Sequence, residues 1–455
     1  MPIFEWRSVM PASADELFAY HARPGAFRRL SPPWQKMRVL EETGDVTSGR
    51  VAFDVWFGPL KRHWVAEMGS AMPGRQFVDR QVDGPFSSWE HVHRFVPIDD
   101  ERSELLDHIE YSLPAGGLTD SVGEGPAGKT LARLFRFRHE RTRLDLERHA
   151  LWADRPRLTV AIAGASGLIG SHLADYLTTA GHRVIRLVRN AEAGPGEVAW
   201  EPATGALSHG ALEGVDAIVN LSGVSLNGIW TSSRKRSILD SRVQATRTLA
   251  EAIARMDSPP PVFVSVSAVG AYGSRGDETV TEETGLGEGF LADVCRAWEE
   301  AATPAAAAGV RLVTPRLGIV VSASGGAVGA MLPAFKAGAG TRLGGGDQYW
   351  AWVELDDMLA AIEWALHDEE LEGVVNVTAP EPVTNREFTK TLGRVLHRPA
   401  PFAAPSFFLR HGLGGMGDEM LLASQRAVPA RLKERGFRFA FPMLESALRY
   451  ELGRS

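Results

Sequence analysis

A single cysteine, Cys295, stands in a chain of 455 residues. One thiol builds neither an intramolecular disulfide nor a thiolate zinc cluster, and it fits a reducing compartment. An excess of positive charge is also lacking. Lys and Arg total 49 against 56 Asp and Glu, a formal charge of −7, so no overall field draws the chain to phosphate backbones. Long apolar runs are scarce as well. The longest uncharged stretch, 317–335, is interrupted by Ser322, Ser324, Gly325, Gly326, Gly329 and Pro333; it reads as a strand, a turn and a helix start rather than a membrane span. Charges at Glu5 and Arg7 fall where a secretory signal needs its apolar core. The expectation is a cytoplasmic protein with no membrane and no nucleic-acid partner.

What is present is the balance of a packed globular protein, 44% hydrophobic and 23% charged, with length for roughly three domains. Residues 1–150 are rich in tryptophan, histidine and short alternating segments. Ser13 and Glu16 form a capping-box signature for a short helix after a strand carrying Phe4 and Trp6. From Arg50 to Tyr111, alternating runs such as Val51, Phe53, Val55, Phe57 and His91, His93, Phe95 are bounded by Gly58-Pro59, Pro73-Gly74 and Gly84-Pro85, the pattern of an antiparallel sheet. Leu134, Phe137, Arg141 and Leu144 then recur at helical spacing, which predicts a long helix against that sheet. Its arginines alternate with Glu140, Asp145 and Glu147 and read as a solvated face.

After a linker at 152–157, strands alternate with helices, the grammar of a doubly wound parallel sheet. Strands are predicted at 158–163, 183–188, 216–220, 262–266 and 311–321, and helices at 171–180, 234–256 and 290–308. The expected organisation is an α+β domain at 1–150, an α/β Rossmann domain at 157–384 and a small, mostly helical domain at 385–455.

Gly164-Ala165-Ser166-Gly167-Leu168-Ile169-Gly170 follows a predicted strand and opens a helix. The first glycine permits a tight turn, the second a close approach of a pyrophosphate to the backbone, and the third contact between helix and strand. These seven residues are therefore assigned to the cofactor. The next strand ends in Arg189-Asn190, where an NAD-preferring site offers a carboxylate to the ribose hydroxyls. Arg189 instead suits a 2′-phosphate, favouring NADP(H) over NAD(H), with an ordinary surface arginine as the alternative. Leu221, Ser222 and Gly223, after a further strand, would let the cofactor pass close to backbone.

These motifs resemble the extended short-chain dehydrogenase/reductase superfamily, the NAD(P)-dependent epimerase/dehydratases, over about 158–378. Asn220-Leu-Ser-Gly223, Ser241-Arg-Val-Gln-Ala-Thr246, Trp298-Glu-Glu-Ala-Ala302 and Pro315-Arg-Leu-Gly318 are similar to an atypical branch labelled nucleoside-diphosphate-sugar epimerase or cell-division-inhibitor-like. Leu421-Leu-Ala-Ser-Gln425, Pro429 and Gly436-Phe437 resemble the C-terminal piece of that branch. Residues 1–150 resemble the START-like, polyketide-cyclase-type (SRPBCC) fold through Pro32-Pro-Trp34 and Gly84-Pro-Phe86 to His93, which implies an apolar cavity and an apolar ligand.

The superfamily uses a Tyr-x-x-x-Lys pair and a serine for proton chemistry. Here Phe290 and Val294 stand at the tyrosine and lysine positions, and register on Tyr272-Gly273 puts Ala268 at the usual serine, with Ser267 one residue early. Tyr272 and Ser267 are the remaining catalytic candidates, Tyr272 with a packed aromatic as its alternative. Two functional readings stay open: an NADP(H)-dependent oxidoreductase acting on a small molecule, and a non-catalytic NADP(H)-sensing regulator. The segment 344–352 reads equally as substrate lining or as a loop packing two tryptophans. His91 and His93 share a strand face, with His63 or His108 as a third imidazole, but no Asp/Glu signature lies nearby and no metal is expected. Cys295, without an adjacent base, reads as a buried thiol.

Overall fold

A computed structural model describes residues 1–114, 117–189 and 192–454. The chain divides into two compact units, one built chiefly of residues 1–156 and the other chiefly of 157–449.

In the first unit, seven strands form one antiparallel sheet: β1 (Ile3–Met10), β2 (Met37–Thr43), β3 (Arg50–Phe57), β4 (Leu60–Met72), β5 (Gln76–Asp83), β6 (Ser88–Pro97) and β7 (Ser103–Ser112). Their order is β1-β7-β6-β5-β4-β3-β2. The predicted turns fall between β3 and β4, β4 and β5, and β5 and β6. Two short helices, α1 (Ala14–Ala22) and α2 (Ala26–Arg29), follow β1, and α3 (Gly117–Ala150) lies against the sheet. Ser13 caps α1 by accepting from the Glu16 amide at 3.2 Å. Period-two alternation puts Trp89, His91, His93 and Phe95 of β6 on the covered face. There Trp89, Ile109 and Tyr111 pack with Leu131 and Phe135 of α3, and Leu17, Tyr20, Phe77, Phe95 and Leu146 make a second cluster. Each such large side chain contributes roughly 1.5–3 kcal/mol. Under the same helix, Arg29 makes a fully buried, two-pronged ion pair with Asp145 (2.6 and 2.8 Å), whose carboxylate also accepts from the Tyr20 hydroxyl.

In the second unit, β8 (Thr159–Ala163), α4 (Leu168–Thr179), β9 (Arg183–Val188), β10 (Glu197–Glu201), β11 (Ala206–Leu207), β12 (Ala217–Asn220), α5 (Ser232–Ala254), β13 (Val262–Ser265), β14 (Ser267–Ala268) and α6 (Phe290–Glu300) follow in turn. The sheet order is β11-β10-β9-β8-β12-β13, then the strand Arg311–Leu317, which pairs with β14 and with Gly373–Val377. All these pairings are parallel except β10 with β11. Val160, Ala161, Ile162 and Ala163 are fully buried, as a strand covered on both faces requires. The chain steps outward from β8 through β9 to β10, then returns to β12 on the other side. That reversal opens a crevice beyond the carboxyl ends of β8 and β12.

Two predicted elements are divided. The helix expected over 290–308 stops at Glu300 and resumes as Thr303–Ala307, with Pro304 in the first turn of the second piece, where its missing N–H costs nothing. The strand expected over 311–321 breaks at Gly318, where a Cβ would lie 2.8 Å from the Ala351 carbonyl oxygen, and Ile319–Val321 pairs instead with Trp352–Glu354. The C-terminal part is largely helical, with Ser406–Leu413, Ala430–Glu434 and Leu444–Glu451. Among the described residues no helix is long and apolar enough to cross a membrane.

Candidate functional site

The glycine turn sits at the mouth of the crevice, between β8 and α4. Gly164 adopts φ +82°, and a Cβ there would lie 2.9 Å from the Leu221 carbonyl carbon and oxygen. Only glycine fits both demands. A Cβ on Gly170 would meet the Gly164 oxygen at 2.3 Å, so this residue lets α4 close onto the turn. Ser166 and Gly167 between them are exposed, Ala165 is buried, and Leu168 and Ile169 are half-buried. The Leu221 amide donates to the Ala163 carbonyl at 2.9 Å, and the Ser222 amide to Asn220 Oδ1 at 3.1 Å. Buried Asn220 is itself held by Thr246, to whose Oγ1 it donates at 2.8 Å. Leu221, Ser222 and Gly223 therefore run beside the turn, with Gly223 exposed.

This cradle fits a dinucleotide: two glycines where any side chain would strike backbone, an exposed third, and a helix N-terminus whose partial positive charge suits a diphosphate. Arg189 is exposed just past β9, and Asn190 lies outside the described residues. A surface cavity of about 570 Å³ lies elsewhere, between the 205–214 loop and the end of α5, just before β12 and β13 begin.

Ser267 and Tyr272 belong to one buried polar network whose other members are far away in sequence. The Ser267 hydroxyl donates to Glu299 Oε1 at 2.7 Å, and Arg316 grips both Glu299 oxygens at 2.9 and 2.8 Å. The same guanidinium lies 4.8 Å over the Tyr272 ring, and the Tyr272 hydroxyl donates to Asn376 Oδ1 at 2.7 Å. Tyr272 has no accessible surface and Ser267 only 2%. Burial raises the phenol's pKa above its ordinary value, partly opposed by Arg316. Glu299, Arg316 and Asn376 escaped the sequence reading. Only Pro315-Arg-Leu-Gly318 and Trp298-Glu-Glu, quoted for their resemblance, flagged two of them.

Phe290 and Val294 open α6 in an apolar cluster with Trp230, Ile238, Leu291, Met416 and Met420. Trp230 meets the Phe290 ring at 5.3 Å, and Lys235 Nζ lies 4.7 Å over it. Glu419 reaches the start of the helix and accepts from the Leu291 amide at 2.8 Å. Val294 is 2% exposed, so its position has no room for a solvated ammonium. Burial pushes the nearby Cys295 thiol up to about 11, which leaves it inert. In the 344–352 segment both tryptophans are buried. Trp350 packs on Phe388 and Trp352 donates to the Glu381 carbonyl.

The first unit gathers a cluster of histidines and carboxylates under its sheet's covered face. His91 pairs across the sheet with Asp79 of β5, and His93 with Asp107 of β7, so all four point to the covered face. Asp79 Oδ2 lies 3.0 Å from His91 Nδ1 and 3.2 Å from His93 Nε2. Asp107 meets the opposite nitrogens, His91 Nε2 and His93 Nδ1, both at 2.8 Å, and His139 Nε2 of α3 at 2.6 Å. Burial opposes a charged His91, but Asp79 and Asp107 outweigh it and push its pKa up to about 8. Burial likewise opposes ionised Asp79 and Asp107, yet the surrounding imidazoles hold both carboxyls below the usual carboxylate range. Neighbouring His21 has the reverse fate, lowered by burial to about 3. His63 turns to Asp54, and His108 to Glu5 and Glu110, away from this cluster.

Fold and turn together define a Rossmann dinucleotide-binding unit joined to a helix-grip domain. A family model for the NAD dependent epimerase/dehydratase family matches residues 160–378, one for polyketide cyclase / dehydrase and lipid transport matches 10–135, and a domain of unknown function matches 404–451. An epimerase family protein of Mycobacterium bovis is 44% identical over 296 residues, 65% of this chain and 98% of that protein. The human epimerase family protein SDR39U1, solved with NADPH, is 32% identical over 65% of this chain and 99% of its own, with a TM-score of 0.59. A nucleoside-diphosphate sugar epimerase from Corynebacterium glutamicum is 32% identical across 99% of this chain and 90% of its own, with a TM-score of 0.81. The chain belongs to the NAD dependent epimerase/dehydratase family.

Proposed function

We propose that the second unit is an NADP(H)-dependent oxidoreductase acting on a small molecule, and that the first unit holds an apolar ligand. The observation that carries the cofactor reading is the turn at Gly164, Gly167 and Gly170, set where the strand order reverses. NADP(H) is preferred because β9 ends in exposed Arg189 with no acid beside it, and the NADPH held by the human relative agrees. When bound, the nicotinamide supplies or takes up a hydride. The chain's own contribution is to bind the diphosphate through Gly164 to Gly170, to line the next stretch with Leu221, Ser222 and Gly223, and to hold the reaction side rigid.

In this reading Ser267 and Tyr272 are positioning residues. Glu299 and Asn376 accept from their hydroxyls, Arg316 holds Glu299 in place, and water or the substrate completes the proton balance. The apolar ligand is supported by the ring cluster of Phe53, Trp64, Phe86 and Trp89 and by the family match over 10–135. The packing of Phe290 and Val294 favours a second reading, a sensor that binds NADP(H) without turnover.

NADPH and NADH titrations test the cofactor assignment. Arg189→Asp is expected to weaken NADPH by about tenfold or more, the loss of a charge-assisted contact worth ~1.5–3 kcal/mol, and to spare NADH. Equal losses would remove the phosphate role. Substrate-dependent NADPH oxidation over carbonyl, enone and nucleotide-sugar panels separates oxidoreductase from sensor.

A further inference from the structure

We propose that Asp79, His91 and His93 form a binding site for one divalent transition-metal ion in the first unit, with Asp107 and His139 orienting its imidazoles. The site is separate from the dinucleotide crevice and stands whether or not that assignment holds.

Both histidines lie between the two carboxylates. His91 Nδ1 and His93 Nε2 converge on Asp79 Oδ2 at 3.0 and 3.2 Å, while the far nitrogens lie 2.8 Å from Asp107. A ligating histidine gives one nitrogen to the ion and the other to a carboxylate that sets the tautomer, as His91 Nε2 does with Asp107 at 2.8 Å. The spacing also fits. Bonds of about 2.0–2.1 Å to a tetrahedral ion place donor atoms roughly 3.3 Å apart. Two edges of the Asp79–His91–His93 triangle, 3.0 and 3.2 Å, come close to that length, and all three donors lie within 4.8 Å of one another.

Charge balance points the same way. Asp79 and Asp107 are two carboxylates on neighbours of β6, and among the described residues all their ion-pair partners are histidines. A dication neutralises both and leaves every imidazole neutral. His139 Nδ1 is buried without a hydrogen-bond partner, and His93 Nδ1 sits beside Asp107 off the bonding direction. Two imidazoles and one carboxylate suit zinc or iron(II) and leave a coordination position for water or a ligand oxygen.

The full chain, stripped with chelator, would be titrated with Zn²⁺ and with Co²⁺. One equivalent is expected to bind, with visible Co²⁺ bands of nitrogen–oxygen ligation and a rise in thermal midpoint. Asp79→Asn and His91→Gln should each weaken the ion about 100-fold, and His139→Gln, which supports the ligands through Asp107, about tenfold. Cobalt spectra of the unmodified chain keep the test decisive if a variant fails to fold. No stoichiometric binding overturns the proposal. So does binding that survives both ligand variants, or that is lost in His367→Gln, which alters the buried His182–Glu363–His367 group of the second unit.

Discussion

The two units depart in opposite directions from the chemistry their resemblances imply. The domain whose resemblance implied an apolar cavity buries His91, His93, Asp107 and His139 together beside half-buried Asp79. The domain whose superfamily performs acid–base chemistry puts Phe290 and Val294 among Trp230, Met416 and Met420, and ties Tyr272 and Ser267 to protein partners. The difference teaches that a fold's habitual chemistry does not locate the reactive groups of a particular chain. Function follows the site that the side chains build.

Mirror substitutions test that contrast most severely. Asp107→Leu strips three imidazoles of a carboxylate, and Val294→Lys inserts an unpaired ammonium into an apolar cluster. Each is expected to cost about 3–5 kcal/mol in urea denaturation. If Val294→Lys were tolerated and raised turnover, α6 would be open to the superfamily's proton chemistry and the contrast would collapse. Gly170→Ala comes next, because its Cβ meets the Gly164 oxygen. A loss of about 1–3 kcal/mol is expected, with NADPH fluorescence enhancement abolished; unchanged titration would separate the turn from the cofactor. Tyr272→Phe has the smallest expected effect, about 1 kcal/mol of stability from the lost bond to Asn376 and less than tenfold in kcat. A general acid would lose about 100-fold or more, so a drop of that size would restore Tyr272 to proton transfer.

Much of the scaffold was legible because it depends on local pattern. Turn residues marked the hairpins of the first unit, and glycine spacing marked the β8–α4 turn. Breaks at Pro304 and Gly318 were harder to read. Pro304 is tolerated in a first helical turn, so it signals a restart only once the preceding helix is known to end, and Gly318 matters only through the distant Ala351 carbonyl. The Glu299–Arg316–Asn376 network was hidden for the same reason, since its members lie on α6 and on two neighbouring strands. The histidine cluster shows the limit most plainly. His91 and His93 were visible as a same-face pair, but the acids that complete them come from β5 and β7, and the third imidazole from α3.

Chain chemistry alone determined that this protein has a glycine-rich turn between β8 and α4, no acid at the end of β9, and no tyrosine–lysine pair on α6. These follow from residue identity and short-range spacing, which survive any rearrangement of the rest. Cross-strand register and the seating of α3 decided which carboxylates face which imidazoles. A one-residue slip in β5 or β7 would turn Asp79 or Asp107 to the opposite face of the sheet, so only the folded sheet makes the cluster a site.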